Sequence, residues 1–257
     1  MIPIRKGKQL DQLRVAAKVA SSILRQISRA IQPGVTTGEI DAMAVELMRE
    51  NDCRSAFLGY RNFPGNICIS VNEEVVHGIG GPRPIQYGDI VKVDVGIIKD
   101  GWVGDNAMTV PVGAVSPQVN RLLYATEEAL HTAISFARSG VRLGELCGSV
   151  EKTAIRYGFT VVREFVGHGV GRKLHEEPQV PNYGKPNKGP RLRAGMVLAI
   201  EPMVNMGRAG VEVLADNWTV VTLDRKPSAH YEHMALVTDD GPEILTERER
   251  VAAVPAA

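Results

Sequence analysis

The chain has 257 residues, 44% of them hydrophobic and 23% charged, a balance that describes a folded globular protein and excludes a disordered one. Thirty basic against 29 acidic residues leave a formal charge of +1, which gives no case for nucleic acid or an anionic membrane as the main ligand. Three scattered cysteines, Cys53, Cys68 and Cys147, without a Cys-x-x-Cys pair, point to a reducing, cytoplasmic setting rather than to a disulfide framework.

The N-terminal segment has no apolar h-region and runs into a charged amphipathic helix, so neither a signal peptide nor a membrane span is expected. From Leu10 to Ile31 apolar residues fall at Leu13, Ala16, Ala20, Ile23, Leu24 and Ile27, the spacing of one helix face, and Pro33-Gly34 stops that helix. Thr36-Thr37-Gly38-Glu39 fits a capping box that opens a second helix, with Ile40, Ala44, Leu47 and Met48 inside. Ile90 to Ile98 reads as a strand carrying Asp94. Lys99-Asp100-Gly101 marks a hairpin turn, and Trp102 to Val110 returns with Asp105.

Turn length decides the geometry of that hairpin. A two-residue turn at Asp100-Gly101 sets Asp94 opposite Ala107 with Asp105 diagonally beside it, and a four-residue turn sets the two carboxylates directly opposite. Either way they share one face. The competing reading makes Lys92 and Asp94 the solvent side of an edge strand.

After Ser116-Pro117 the plan returns: a helix with Leu122, Leu123, Leu130, Ile134 and Ala137 inside, stopped at Gly140, and then a second helix. Gly34-Val35-Thr36-Thr37-Gly38-Glu39-Ile40 parallels Gly140-Val141-Arg142-Leu143-Gly144-Glu145-Leu146. Gly88-Asp89-Ile90-Val91-Lys92-Val93-Asp94 parallels Gly195-Met196-Val197-Leu198-Ala199-Ile200-Glu201 at an offset that differs by one residue. Two matches in register indicate one domain, residues 1–257, built from two similar helix–helix–strand halves of about 10–112 and 116–248. Their acidic strand ends are expected to meet at the seam.

Glu201 ends the unbroken apolar run Met196 to Ile200, where a lone ionised carboxylate costs several kcal/mol unless it is paired or bound to a metal. Glu232 stands at the head of another strand. A salt bridge to an arginine is the alternative for each. His168 lies between Gly167 and Gly169, which strip steric cover from the imidazole, and His175 and His77 stand nearby in sequence motifs. For any one of them alone a satisfied core histidine is the simpler reading, and His131, His230 and His233 receive no functional role. Together, four carboxylates and one imidazole offset two divalent cations and favour Mn, Fe(II), Co or Zn over a thiolate site. Serine, cysteine, Walker-loop and dinucleotide signatures are missing. The turn-rich stretch Lys185–Arg193 reads as a solvated loop.

The set Asp94, Asp105, His168, Glu201 and Glu232, with Val93-Asp94-Val95, Gly167-His168-Gly169-Val170-Gly171, His175-Glu176-Glu177-Pro178 and Glu201-Pro202, resembles type I methionine aminopeptidase in its compact bacterial-type form. The resemblance spans the first helix to about Arg248. It implies an α/β (α+β) pita-bread fold, two pseudo-symmetric halves around a curved central antiparallel sheet, and two divalent metal ions per chain held by those five residues. It also implies removal of the N-terminal methionine of nascent proteins when the second residue is small, by attack of a metal-bridging hydroxide on the first peptide bond. His77, His175 and Glu201 would be catalytic, and Tyr60, Phe63, Cys68 and Trp218 would line the methionine pocket beside His77 and His175. A cytoplasmic monomer with transient ribosome association, and no nucleic acid or membrane partner, completes the implication. Asn106, Leu174 and Phe57 depart from the family's usual residues and bear on pocket shape. A proline-specific aminopeptidase or creatinase-like enzyme, and a non-catalytic module of the same fold, are the competing readings.

Overall fold

The computed structural model describes residues 1–248, so the last nine residues of the expected domain lie outside the described residues. The first part of the chain forms α1 (Lys8–Ala30), α2 (Thr37–Glu50), β1 (Arg54–Ser55), β2 (Cys68–Val71), β3 (Glu74–Val76), β4 (Ile90–Lys99) and β5 (Trp102–Pro111). The second part forms α3 (Pro117–Ser135), α4 (Leu143–Arg156), β6 (Thr160–Val161), β7 (Gly167–Gly169), β8 (Glu176–Val180) and β9 (Val197–Ile200). It closes with β10 (Met203–Asn205), β11 (Val211–Val213), β12 (Val220–Thr222), β13 (Ser228–His230), β14 (His233–Val237) and β15 (Pro242–Ile244).

Local chemistry sets the helix starts. The Thr36 hydroxyl accepts from the Glu39 N–H while the Glu39 carboxylate accepts from the Thr36 N–H, a complete capping box. Ser116 caps α3 by accepting from the Val119 N–H, with Pro117 in the first turn. The end of α3 differs from the sequence expectation. It stops at Ser135, five residues before Gly140, because the Ser139 N–H is drawn off to the Thr238 carbonyl beside β14.

Named strand pairs are antiparallel throughout, and their hydrogen bonding divides them into four sheets rather than one. These run β1-β4-β2 with β5 on β4, β15-β14-β9-β7-β8, β13-β10-β6, and β11-β12-β3. Within the first two sheets the halves match: β2 and β5 flank β4 as β7 and β14 flank β9. The β4–β5 hairpin turns through Asp100 and Gly101, both at positive φ (52° and 75°), the conformation a two-residue turn of the primed type requires. Lys99 therefore pairs with Trp102 and Asp94 with Ala107.

The helices cover the sheets on one side. α1 lies so close on β5 that a Cβ at Gly104 would sit 2.3 Å from the Ala16 carbonyl oxygen. One apolar cluster joins α1 and α2 to β4 and β5, and a second joins α3 and α4 to β9 and β14. Burial of each Leu or Ile side chain in these layers contributes about 1.5–3 kcal/mol. The strand faces turned away from the helices are left to form the cavity. Among the described residues, no helix is long and apolar enough to cross a membrane.

Candidate metal centre

A cavity of about 750 Å³ opens on the sheet face opposite the helices, and the side chains around it come from both halves. Asp94 (β4) and Asp105 (β5) enter as diagonal neighbours, since Asp94 pairs with Ala107 and Asp105 with Gly96. His168 comes from β7, Glu201 from the residue after β9, and Glu232 from the residue before β14. All five line the cavity, as do His77, His175, Tyr60, Phe63, Cys68 and Trp218. Every site residue expected from the sequence is thus brought to one place.

The solvent-edge reading of Lys92 and Asp94 is not what the fold makes of them. Lys92 is 1% exposed and donates its Nζ to the Asn72 carbonyl at 2.7 Å, and Asp94 Oδ1 is buried inside the cavity wall. Nor, among the described residues, does an arginine neutralise the two glutamates by direct pairing. Glu201 has His168 Nε2 at 3.4 Å and His230 Nε2 at 3.6 Å, and the Arg248 guanidinium donates to the Glu232 backbone carbonyl at 3.1 Å.

Crowding four carboxylates in a buried site raises all their pKa values. Burial is the main cause for each, and neighbouring carboxylates add to it for Asp94, Glu201 and Glu232. Asp105 is pushed up to about 7 by burial. His168 is held down near 3 by burial and by His175, so its imidazole is neutral. Its Nδ1 lies 3.0 Å from the Gly169 carbonyl, which only accepts, so Nδ1 carries the proton and Nε2 presents a lone pair to the cavity.

This arrangement fits divalent cations. Asp94 Oδ1, Asp105 Oδ1 and Glu232 Oε1 are buried with no hydrogen-bond partner among the described residues, an expensive state for bare carboxylates. Asp105, His168 and Glu232 also offer ligand atoms that all lie within 4.8 Å of one another. Oxygen donors with one imidazole suit Mn, Fe(II), Co or Zn.

The glycines beside His168 serve close strand packing more than exposure of the ring. A Cβ at Gly167 would lie 2.4 Å from the Ala199 carbonyl oxygen, and one at Gly169 would lie 2.1 Å from that of Glu177. Gly169→Ala is therefore expected to destabilise the protein by about 1–3 kcal/mol, read as a lower urea midpoint. An unchanged midpoint would show that the strands yield there without strain.

Beside His168, His175 Nδ1 lies 2.7 Å from the Tyr60 hydroxyl, and the rings of the two histidines meet at 4.2 Å. His77 follows β3 at φ 61°, a strained backbone for a non-glycine residue, and its ring meets Phe165 and Trp218 edge-on. Burial lowers both histidines to about 4. Of the three departures, Asn106 points away from the cavity and donates to the Val95 carbonyl, whereas Leu174 and Phe57 line it. Phe57 fits because residue 96 is glycine: a Cβ there would lie 2.3 Å from its ring.

Two residues escaped the sequence reading. Arg248 donates to the backbone carbonyls of Glu232 and Ala107, where the Glu232 N–H also bonds Ala107, tying the two strands that carry Asp105 and Glu232. His230, set aside on sequence, is 1% exposed and faces Glu201. No local pattern marks either, because each acts across a long-range contact.

The profile of metallopeptidase family M24 matches residues 11–239. The chain is 46% identical over 246 residues to methionine aminopeptidase 1 of Bacillus subtilis, covering 96% of this chain and 99% of that protein. The crystal structure of methionine aminopeptidase from Thermotoga maritima superposes with a TM-score of 0.95 at 42% identity, covering 96% of this chain and all of that one. The prolidase from Pyrococcus furiosus aligns with a TM-score of 0.78 at 23% identity and is covered over 66% of its length, a likeness of fold.

Proposed function

The chain belongs to metallopeptidase family M24, and from that premise we propose that it is an aminopeptidase that removes N-terminal methionine, using Asp94, Asp105, His168, Glu201 and Glu232 to hold two divalent ions. Its fold is the pita-bread arrangement. The observation that carries the assignment is the meeting of those five side chains, with unpartnered buried oxygens on Asp94, Asp105 and Glu232, in a cavity also lined by Phe57, Tyr60, Phe63, Cys68 and Trp218. A neutral apolar slot beside a charged floor suits a methionine side chain next to a scissile carbonyl.

When bound, the divalent ions supply Lewis acidity, acidifying water towards neutral pH and polarising a carbonyl. Asp94, Asp105, His168, Glu201 and Glu232 would hold these ions through carboxylate oxygens and the His168 Nε2 lone pair. Glu201 takes the water proton at Oε2 and returns it to the leaving nitrogen. His175, neutral and held at Nδ1 by the Tyr60 hydroxyl, donates from Nε2 to the carbonyl oxygen as it gains charge. His77 contacts the scissile nitrogen, and its strained backbone keeps the imidazole pointed into the cavity. The chain acts as a monomer on nascent polypeptides in the cytoplasm, with transient association at the ribosome.

Two assays test this. Dialysis against a chelator should abolish peptidase activity, and Mn(II) or Co(II) should restore it; a binding module would show no activity before or after. Met-Ala-Ser should be cleaved at least tenfold faster than Met-Ile-Ser at equal concentration, because crowding a bulky second side chain against His77 costs ~1–3 kcal/mol. Equal rates would return a general aminopeptidase to contention.

A further inference from the structure

His230 closes β13, and its backbone is fixed from the neighbouring strand. The His230 N–H donates to Thr109 Oγ1 at 2.9 Å, and Thr109 Oγ1 donates to the His230 carbonyl at 2.8 Å. The imidazole this clamp holds is fully buried, and both its ring nitrogens lack a hydrogen-bond partner among the described residues. Such a group costs about 1–3 kcal/mol when left unmade. The ring faces Glu201: Nε2 stands 3.6 Å from Oε2, while Oε1 of the same carboxylate stands 3.4 Å from His168 Nε2. The opposite side of the Glu201 side chain is bounded by Gly167, where a Cβ would lie 3.2 Å from Glu201 Cγ.

We propose that His230 is a positioning residue for Glu201: its Nε2–H holds Oε2, so that Oε1 is turned to share a metal ion with His168. This rests on the metal-site reading above. A small shift of the ring would close the 3.6 Å gap to a hydrogen bond, taking one lone pair of Oε2 and leaving one for proton transfer, so the same contact serves both tasks of the carboxylate. Partners of this kind, bonded to a ligand rather than to the metal, typically govern affinity by 10–100-fold.

The test compares His230→Gln, which keeps an N–H donor, with His230→Leu, which fills the space without one. Co(II) is titrated into chelator-treated protein and followed by calorimetry and by visible absorption, with far-UV circular dichroism as the check on folding. The leucine variant should bind Co(II) about 10–100-fold more weakly, and after loading kcat should fall with KM within about twofold. The glutamine variant should recover most of the affinity and keep the wild-type Co(II) spectrum. Should the leucine variant fail to fold, His230→Met takes its place. Wild-type affinity and turnover in the apolar variant would overturn the proposal. Equal loss in both variants with an altered Co(II) spectrum would also overturn it, by making His230 itself a ligand. A wild-type protein that takes up no Co(II) would instead bring down the metal-site reading on which it stands.

Discussion

Asp105→Ala is expected to abolish both metal loading and turnover. Its carboxyl is almost fully enclosed, lies 3.7 Å from His168 Nε2, and is one of three groups whose ligand atoms gather within 4.8 Å. A carboxylate at the centre of this donor cluster has no substitute within reach, since Asp94, Glu201 and Glu232 would each already be ligands. The metal-free protein should respond in the opposite sense. Replacing one of four crowded buried carboxyls by a neutral amide relieves repulsion and supplies a donor to the neighbouring carboxylates, so apo Asp105→Asn, which preserves volume, should melt no lower than apo wild type. Metal analysis, a peptidase assay and thermal melts of the chelated proteins read these outcomes. A variant that keeps half the activity together with its metals would sink the ligand assignment. A large drop in the apo melting temperature would mark Asp105 as a structural residue.

The second large effect belongs to His175. His175→Ala should lower kcat by about 10²–10³-fold, ~2.7–4 kcal/mol, with a smaller change in KM, because a donor aimed at a developing oxyanion binds the transition state more than the substrate. The geometry favours this. Tyr60 fixes the ring at 2.7 Å, and burial with nearby Arg61 lowers the imidazolium to about 4, so the ring is neutral in the working range. For Nε2 to donate, Nδ1 must accept from the Tyr60 hydroxyl, so Tyr60→Phe should reproduce a minor part of the loss. A higher KM with kcat unchanged would make His175 a ground-state binder and withdraw its role.

How much of this was legible in the sequence follows from how far each determinant reaches along the chain. Helix starts were legible, because a capping box and an N-cap serine act within four residues, as at Thr36–Glu39 and Ser116. That Asp94 and Asp105 share one face was legible for the same reason, since either even turn length keeps them together, and the structure selects the two-residue turn at Asp100-Gly101. The repeat was legible as two matching segments, and the resemblance to a known family supplied the roles that spacing alone left open.

Contacts between segments distant in sequence depended on the tertiary structure. The end of α3 is set by the Thr238 carbonyl, about a hundred positions along. Lys92 and Asp94 alternate like the wet face of an edge strand, yet β2 and β5 pair with both edges of β4, Lys92 is buried, and Asp94 carries a buried Oδ1 in the cavity wall. The glycines around His168 answer to the carbonyls of Ala199 and Glu177, and Gly96 to the ring of Phe57. His230 and Arg248 gain meaning through packing against Glu201, and against Glu232 with Ala107. The sequence by itself determined the local elements, the shared face of one hairpin's carboxylates and the list of candidate metal-ligating side chains. Where five carboxylate and imidazole groups meet, and what holds each in place, was decided by strand pairing and close packing, whose partners are neighbours in space and strangers in sequence.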